Sequence, residues 1–329
     1  METRLLEYFV TVADELSVTR ASERLFVAQS TVSAGLRSLE GELGVRLFER
    51  TTKTVRLLPA GEAMLPLARE MLDDLDALRR VGSESRQGLR GRVRIGTFAA
   101  LQLLDLPGIL GRFRRENPLV DIQLVGSTAG STGLTDDLAH GRLDLAFTAL
   151  PAASGLDTWP LARFEFVALV PLGHPLAARA AVAAAGAGPR AGGVGVDAGG
   201  VAARAAVAPG AVAPGSGAGS VSLAELAGED WVDVLPGYGN RVQLEGALAE
   251  RGIVRHISAE LAELPSVAPC VAAGLGVAVV PNVVEAPGCA VLTLTDELAP
   301  WVVSLSARRG SGRRPQVKAL IDTVLAAVA

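Results

Sequence analysis

Several residue types are scarce in this chain of 329 residues, and each scarcity excludes a class of protein. Two cysteines are too few for a disulfide framework, so we expect the reducing environment of the cytoplasm. Apolar runs stay short of the roughly 18 to 20 residues that a bilayer span requires. The N-terminal stretch METRLLEYF mixes charges into an amphipathic pattern, which is not the pattern of a signal peptide.

An excess of positive charge is also lacking, since the net charge is −4 and the pI is about 5.6. This balance argues against a protein that coats nucleic acid generally. Residues 1–60 contain eight basic and eight acidic side chains, but the two signs are segregated. Four basic residues gather near Glu49 at the end of this segment: Arg46, Arg50, Lys53 and Arg56. Such a local cluster is what phosphate contacts need.

The segment from Leu16 to Arg50 contains two short helical patterns joined by a tight connection. Ser17 is a candidate N-cap of the first helix. The second helix has an apolar stripe formed by Val32, Leu36, Leu39 and Leu43. Its opposite face has small or polar side chains, among them Ser30, Ser33, Ala34, Arg37 and Gly41. A helix with so uncluttered an outer face can enter a DNA groove, so the pattern predicts a helix-turn-helix.

The flanking segments complete this domain. The apolar spacing of residues 3–16 predicts an amphipathic helix. The pattern of residues 50–61 predicts a small β-hairpin, or wing, and a solvated loop is the alternative. A long helix follows from Pro59 to about Arg80, and Pro66 should bend it locally. The helix has apolar side chains at a/d spacing: Leu65, Ala68, Leu72 and Leu75. This stripe predicts a dimer interface, and packing against its own domain is the alternative.

From Arg92 onward, short buried strands alternate with helices, which predicts a parallel sheet with crossover helices. Residues 177–220 interrupt this pattern, because they lack aromatic residues, leucine and isoleucine entirely. We expect a flexible surface insertion there, since such a composition buries too little surface to offset its ordering entropy. An alanine-rich helix over residues 176–185 is the alternative.

No constellation of catalytic or metal-binding residues is evident. His140, His174 and His256 lie far apart in the sequence, without metal-ligand spacing or a nucleophile to activate. Cys270 and Cys289 have no Cys-x-x-Cys spacing and no adjacent cation, so buried structural thiols are favoured over a sensing disulfide. We therefore expect no enzyme, no cofactor and no metal site.

The segment LLEYFVTVADELSVTRASERLFVAQSTVSAGLRSLEGELGVRLFERTTKTVRLLPAG resembles the DNA-binding domain of LysR-type transcriptional regulators. The spacing of the following residues carries this resemblance: Ala21, Leu25, Gln29, Ser33, Leu39-Glu40, Leu43-Gly44, Leu47-Phe48, Arg50 and Ala60-Gly61. Later segments GRLDLAF, HPLA, LAELAGEDWV and AAGLGVAVVP also follow the family order. The resemblance thus covers nearly the whole chain except the low-complexity insertion. Leu58, Ala34 and Gly35 depart from the family pattern, and the last two predict a slim DNA-reading face.

The resemblance implies a fold of three parts. An all-α winged helix-turn-helix domain would span residues 1–58, and a linker helix for dimerisation, with a hinge, residues 59–91. A two-lobed α/β effector domain resembling type 2 periplasmic binding proteins would span residues 92–329. Its lobe I would comprise residues 92–164 and 288–329, and its lobe II residues 165–287, with the insertion at 177–220.

Candidate DNA contacts lie on the helix-turn-helix and the wing: Ser17, Thr19, Gln29, Ser30, Thr31, Ser33, Arg37, Arg50, Thr51 and Lys53. Glutamine can pair with adenine through two hydrogen bonds, and arginine favours guanine or phosphate. Hydroxyl groups and the helix N-terminus suit the DNA backbone, although ordinary helix capping is an alternative role for each hydroxyl.

Candidate effector contacts follow strand ends and begin helices, where α/β lobes bind ligands: Thr97, Ser131, Thr132, Gly237, Tyr238, Gly239 and Asn240. For Ser131, the resemblance itself implies an effector contact. Hydroxyl and amide donors at two helix starts suit a carboxylate or another small anion. Capping alone is the alternative for Ser131 and Thr132.

The expected function is that of a DNA-binding transcriptional regulator whose operator binding is modulated by a small molecule between the lobes. A small-solute-binding protein is the alternative, but it would leave residues 1–90 without a role. The expected partners are double-stranded operator DNA, a small-molecule effector such as an organic anion, further copies of the chain in a homodimer or tetramer, and RNA polymerase as an additional candidate.

Overall fold

The computed structural model describes residues 2–50, 55–81, 88–98, 104–151, 153–184 and 219–328. These residues form two compact units. The first extends to Leu89 and also takes in Ala139–Arg142, and the second holds the remainder. No helix within the described ranges is long and apolar enough to cross a membrane. The wing residues Thr51 and Lys53, and residues 185–218 of the expected insertion, lie outside the described residues.

The first unit combines three short helices, a β-hairpin and a long helix. Its elements are α1 (Thr3–Glu15), α2 (Val18–Leu25), α3 (Gln29–Leu43), β1 (Phe48–Arg50), β2 (Val55–Leu57) and α4 (Pro59–Val81). Helix α1 packs against α2, α3 and α4, and their apolar stripes form one core. Phe9, Val32, Leu36 and Leu39 are fully buried in that core. The winged helix-turn-helix fold expected from the sequence is confirmed.

Local backbone geometry keeps the connection between α2 and α3 short. The Ser17 hydroxyl accepts a hydrogen bond from the Arg20 N–H at 3.3 Å and so caps α2. Phe26 ends α2 with a φ of 56°, a conformation that is uncommon for a residue other than glycine. Helix α3 then begins after Val27 and Ala28, so the two helices meet across a tight turn.

The wing is held to α3 by one carboxylate. Oε1 of Glu40 accepts hydrogen bonds from the N–H groups of Leu47 and Phe48, at 2.9 and 3.2 Å. Strands β1 and β2 pair in antiparallel fashion, with Phe48 opposite Leu57. The predicted hairpin is therefore present, but its first strand starts two residues before the expected boundary at Arg50.

The packing of α4 contradicts part of the dimer interface that its apolar stripe predicts. Leu65 and Ala68, two members of the predicted dimer stripe, are buried in the core of their own unit, which was the alternative interpretation. Leu67 and Met71 of this helix are instead large exposed apolar side chains, which are 61% and 51% accessible. The helix runs through Pro66 as one continuous element.

Gly35 lies on the inner face of α3, which packs on α1, and not on the expected DNA-reading face. The residue is buried, and a Cβ placed on it would lie 2.5 Å from the ring carbon Cδ2 of Tyr8. Its missing side chain lets α3 approach α1 closely. The prediction that Gly35 thins the DNA-reading surface is therefore wrong, since the residue serves helix packing.

We expect Gly35→Ala to lower the free energy of unfolding by about 1–3 kcal/mol, because overpacking exceeds the gain of about 1 kcal/mol in helix propensity. Gly41→Ala is the matched control. Gly41 lies on the same helix with nothing within 4 Å of the added Cβ, so this change should stabilise. Hydrogen exchange of the α1 and α3 amides in the full chain measures both effects. Equal stabilisation by the two substitutions would contradict the packing role.

The second unit alternates strands and helices as the sequence predicts. Its first half contains β3 (Arg90–Thr97), α5 (Leu106–Glu116), β4 (Leu119–Gly126), α6 (Gly130–Ala139), β5 (Leu145–Thr148), β6 (Leu156–Phe164), β7 (Phe166–Pro171) and α7 (Ala177–Ala184). Its second half contains β8 (Ser220–Val221), α8 (Leu223–Leu226), β9 (Asp230–Val234), α9 (Gly239–Glu250), β10 (His256–Leu261), α10 (Val267–Ala272), β11 (Ala278–Pro281), β12 (Cys289–Leu294), β13 (Trp301–Arg308) and α11 (Pro315–Val328).

These strands form two lobes, in agreement with the expected effector-domain fold. Lobe I has a five-stranded sheet in the order β4-β3-β5-β13-β6. Lobe II has a four-stranded sheet in the order β11-β7-β12-β8, and the parallel pair β9 and β10 joins it through a bridge between Trp231 and Val277. Both sheets are mixed and not purely parallel as predicted. In lobe I, β13 runs antiparallel to both of its neighbours because the chain returns from lobe II.

The second crossing between the lobes lies later than predicted. Strand β12 pairs with β7 over Cys289–Thr293, so it belongs to lobe II. The expected lobe II boundary at residue 287 is therefore wrong, and the return to lobe I occurs between Leu294 and Trp301. Periodicity could not place this boundary, because β12 is a half-buried strand that would fit either sheet.

The start of the predicted insertion is ordered. Ala177–Ala184 form α7, so the alternative of an alanine-rich helix is correct for this part. Arg179 contacts Glu225 at 2.8 Å, and its guanidinium also donates to the Ser220 carbonyl at 3.2 Å. These contacts tie α7 to the segment at which the described chain resumes.

A buried ion-pair cluster connects α11 to the lobe I sheet. Asp144 is 4% exposed and accepts hydrogen bonds from Arg94, at 2.8 Å to Nη2, and from Arg314. Burial acts to raise the pKa of Asp144, but the hydrogen bond and charge of Arg94, with the charge of Arg314, outweigh it. The pKa therefore lies below its ordinary value of 3.8.

Because that pKa is lowered by folding, the ionised Asp144 stabilises the second unit above about pH 4, and this contribution is lost as the pH falls further. We expect Asp144→Asn to cost on the order of 3 kcal/mol at pH 7, since two arginines lose this charged partner. The difference from the unsubstituted chain should shrink toward pH 3. Urea unfolding followed by tryptophan fluorescence measures it, and a difference independent of pH would contradict the assignment.

Candidate functional site

The first candidate site is the outer surface of the helix-turn-helix. Among the predicted DNA contacts, Thr19, Gln29, Ser30, Thr31 and Arg37 are exposed. Ser33 is half-buried, and the Ser17 hydroxyl is engaged as the N-cap of α2. Ala28 is the N-cap of α3 and makes no side-chain capping bond, so the start of this 15-residue helix is not capped by that residue. An open helix N-terminus beside Gln29 and Ser30 suits a DNA phosphate.

The remaining predicted contacts belong to the wing, and of these the structure describes Arg50 but not Thr51 or Lys53. The structure places Arg50 at the end of β1, next to the hairpin tip, whose residues 51–54 lie outside the described chain. Phe26 stands out in the connection before α3, because its side chain is 95% exposed. Sequence patterns treated it only as part of the turn, although an exposed aromatic ring beside the reading helix is a further candidate contact.

The second candidate site is a cleft between the two lobes of the effector unit. Residues that begin α6 in lobe I meet residues that begin α9 in lobe II. The backbone N–H and the hydroxyl of Thr132 both donate to the Gly237 carbonyl, each at 3.1 Å. Two of the predicted effector residues are therefore bonded to each other across the cleft, and the lobes are closed.

Glycine makes this close approach of the lobes sterically feasible. A Cβ at Gly239 would lie 2.0 Å from the Ala149 carbonyl oxygen in the opposite lobe, and one at Gly130 would lie 2.8 Å from Cα of Tyr238. Gly130 and Gly237 also have positive φ angles of 57° and 93°. Any larger residue at Gly239 must move backbone atoms, since no flexible side chain is there to give way.

A small cavity of about 10 Å³ remains behind this contact, which is room for about one water molecule. It brings together four predicted effector residues: Ser131, Tyr238, Gly239 and Asn240. Its other lining residues are Phe98, Leu264 and Trp301, which sequence reasoning missed. Thr97 does not line the cavity, although its neighbour Phe98 does.

Some polar groups of the residues that line the cavity have hydrogen-bond partners, and one has none in the described chain. The Ser131 hydroxyl accepts a hydrogen bond from the Ala149 N–H at 3.0 Å. The Tyr238 hydroxyl donates to the Ala262 carbonyl, and burial, followed by the charge of Glu263, raises the pKa of Tyr238 so that it stays protonated. By contrast, Nε1–H of Trp301 is buried without an acceptor in the described chain.

Two protein-family models match this chain, and together they cover most of its length. Residues 3–62 match the model of the bacterial regulatory helix-turn-helix protein, lysR family, and residues 86–187 and 204–329 match that of the LysR substrate binding domain. The chain belongs to the LysR family. The gap between the two matched segments of the substrate binding domain falls inside the low-complexity stretch 177–220.

Individual relatives support this membership of the LysR family. A probable hydrogen peroxide-inducible genes activator of Mycobacterium xenopi is 36% identical over 175 residues, which is 53% of this chain and 92% of that protein. The HTH-type transcriptional regulator ShiR of Corynebacterium glutamicum (strain R) is 35% identical over 178 residues, which is 54% of this chain and 60% of ShiR. The solved structure of a full-length OxyR variant from Pseudomonas aeruginosa has a TM-score of 0.67 at 26% identity and covers 98% of this chain and 94% of that one.

Cys289 of this LysR-family chain does not have the environment of a reactive thiol. Cys270 and Cys289 are unpaired and half-buried. The Cys289 thiol donates to the Ala268 carbonyl at 3.3 Å, and burial raises its pKa above the ordinary value. A raised pKa disfavours the thiolate, which is the nucleophilic form. The similarity to a peroxide-inducible activator is therefore no reason to treat Cys289 as a reactive thiol.

We expect Gly239→Ala to open the lobes, because the added methyl group would collide with the Ala149 backbone. Small-angle X-ray scattering of the full chain should then show a larger radius of gyration. Gly246→Ala on the same helix is the matched control, since its added Cβ meets nothing within 4 Å and should leave the radius unchanged. Equal radii for the two variants would mean that glycine at position 239 is not what permits closure.

Proposed function

We propose that this LysR-family regulator binds double-stranded operator DNA with α3 and the wing, and that a small organic anion in the interlobe cleft modulates this binding. The observation that carries the DNA-binding part is the exposed, weakly charged face of α3 with Gln29, Ser30, Thr31 and Arg37. Side chains of this length leave the helix free to enter a major groove. The basic residues near the wing, Arg46 and Arg56, are exposed and suit flanking phosphates.

The proposed regulator acts as a homodimer or homotetramer. Leu67 and Met71 expose apolar surface on α4, where a second copy of the helix would bury it. A dimer would also present two copies of α3 to two half-sites of one operator. RNA polymerase is a further candidate partner, because a regulator that activates transcription has to influence polymerase at the promoter. As a DNA-binding regulator of a bacterial family, the protein would act in the cytoplasm.

Support for the effector part comes from the closure of the lobes on a cavity with hydrogen-bond donors. A ligand can bias two states only through different contacts in each. Here, opening breaks the contacts of Thr132 with Gly237, and ligand contacts in the cleft would replace them. A solute-binding protein would share this cleft but has no use for the helix-turn-helix, so the regulator is the favoured function.

Mobility-shift titrations with the DNA upstream of its own gene test the proposal. We expect the logarithm of the association constant to fall linearly with the logarithm of salt concentration. Gln29→Ala should reduce discrimination between operator and random DNA by about 1–3 kcal/mol, whereas Arg37→Ala should lower the salt slope by about one.

The matched control is Arg112→Ala, which removes one charge from α5 of the effector unit and should change neither quantity. Operator preference that is unchanged in Gln29→Ala would exclude the proposed reading role of that residue. Absent or salt-insensitive binding of the unsubstituted chain would overturn the regulator itself.

A further inference from the structure

Trp301 lines the interlobe cavity, and its Nε1–H is an unsatisfied donor in the described chain. Trp301 is the first residue of β13, directly after the second crossing between the lobes, and it is 1% exposed. Its ring packs against Phe98 and Phe164, at centroid distances of 6.1 and 5.9 Å. The indole N–H finds no acceptor in the described chain. A buried donor without an acceptor costs about 1–3 kcal/mol, so a partner that supplies one would recover this free energy.

Two further polar side chains line the same cavity. Asn240 is 2% exposed and lines it, so its side-chain amide offers a second donor. The Ser131 hydroxyl accepts from the Ala149 N–H, and its own O–H is a third donor beside the cavity. A water molecule offers only two lone pairs, so it cannot satisfy these donors together with the indole.

The cavity also lies at the start of a helix. Helix α9 spans Gly239–Glu250, and its N-cap residue Tyr238 makes no side-chain capping bond. Its first N–H groups therefore carry the positive end of the helix dipole, which favours an anionic group. No lysine or arginine is among the described lining residues, so full neutralisation of a doubly charged group such as phosphate is not provided.

We infer that the ligand of this cleft is a small monocarboxylate with an apolar body, and that Trp301 and Asn240 are its specificity-determining donors. The inference rests on the proposed function and deepens it. The carboxylate oxygens would accept from Nε1–H of Trp301, the Asn240 amide and the Ser131 hydroxyl. The apolar body would lie against Phe98 and Leu264 once the lobes have parted, because the closed cavity of about 10 Å³ holds little more than water.

A competing arrangement would leave the indole without a ligand role. Oε1 of Gln243 is also buried without a donor in the described chain, while its Nε2 donates to the carbonyl of Pro300, the residue before Trp301, at 3.3 Å. In this arrangement, movement of the lobes would bring the Gln243 oxygen to the indole N–H. In that case Trp301 would affect the stability of the lobes but not the affinity for a carboxylate.

The indole ¹⁵N–¹H signals of the full chain test the inference. The chain has three tryptophans, and Trp231 serves as an internal reference because its Nε1–H already donates to the Leu226 carbonyl at 3.0 Å. The probes are phenylacetate, cyclohexanecarboxylate and 3-methylbutanoate, with phenylacetamide as the uncharged match and acetate as the carboxylate without a body. We expect at least one of the first three to move the Trp301 signal downfield and to leave the Trp231 signal in place.

Calorimetry with the probe that binds then separates ligand contact from stability. Trp301→Phe retains an aromatic ring but removes the donor, so it should weaken binding about tenfold or more. Trp159→Phe, outside the cavity, is the matched control and should not weaken it. Phenylacetamide should bind more weakly than phenylacetate.

Three results would overturn the inference. They are a Trp301 signal that none of the three carboxylates moves, equal affinity of Trp301→Phe and the unsubstituted chain, and an amide that binds as tightly as the acid. Operator binding by the same protein is measured separately in the mobility-shift titration. Retained operator binding together with any of these results would reject the ligand class while leaving the DNA-binding function standing.

Discussion

Direct backbone contact between the two lobes is the constraint on which the effector unit depends. The Gly237 carbonyl accepts two hydrogen bonds from Thr132, and Gly239 lies so close to the Ala149 carbonyl that no side chain fits between them. Closed lobes with so little space between them leave a cavity that holds about one water molecule. A ligand must therefore compete with contacts that the protein makes with itself, which is how binding can be coupled to a change of state.

The polar groups around this cavity explain why the closed form is not a fully satisfied one. Ser131 and Tyr238 have hydrogen-bond partners, whereas the indole N–H of Trp301 has none in the described chain. Buried polar groups without partners are uncommon and tend to mark function. The closed lobes thus combine favourable backbone contacts with an indole donor that remains to be satisfied, as the proposed control by a small molecule requires.

In the helix-turn-helix unit, one face of α3 is exposed while the opposite face is packed tightly against the core. The same helix α3 holds exposed Gln29 and Arg37 on one side and buried Val32 and Leu36 on the other. Gly35 brings α1 close on the buried side, and Glu40 fixes the wing by accepting two backbone N–H groups. These inner contacts orient the outer face of α3 without using any of the side chains proposed to contact DNA.

Much of this architecture follows from local patterns in the sequence. Apolar spacing determined α1, α2 and α3, alternation of strands and helices indicated the α/β unit, and turn and cap residues marked most boundaries. Four cavity residues could be predicted as well, since Ser131, Tyr238, Gly239 and Asn240 lie at helix starts that follow strands. Phe98, Leu264 and Trp301 could not, because nothing local distinguishes them from ordinary core residues. Only the tertiary structure decided which lobe holds β12, why Gly35 is glycine, and that Trp301 from a distant strand lines the same cavity as Asn240. Each of these depends on contacts between residues far apart in the chain, which periodicity and residue preference do not encode.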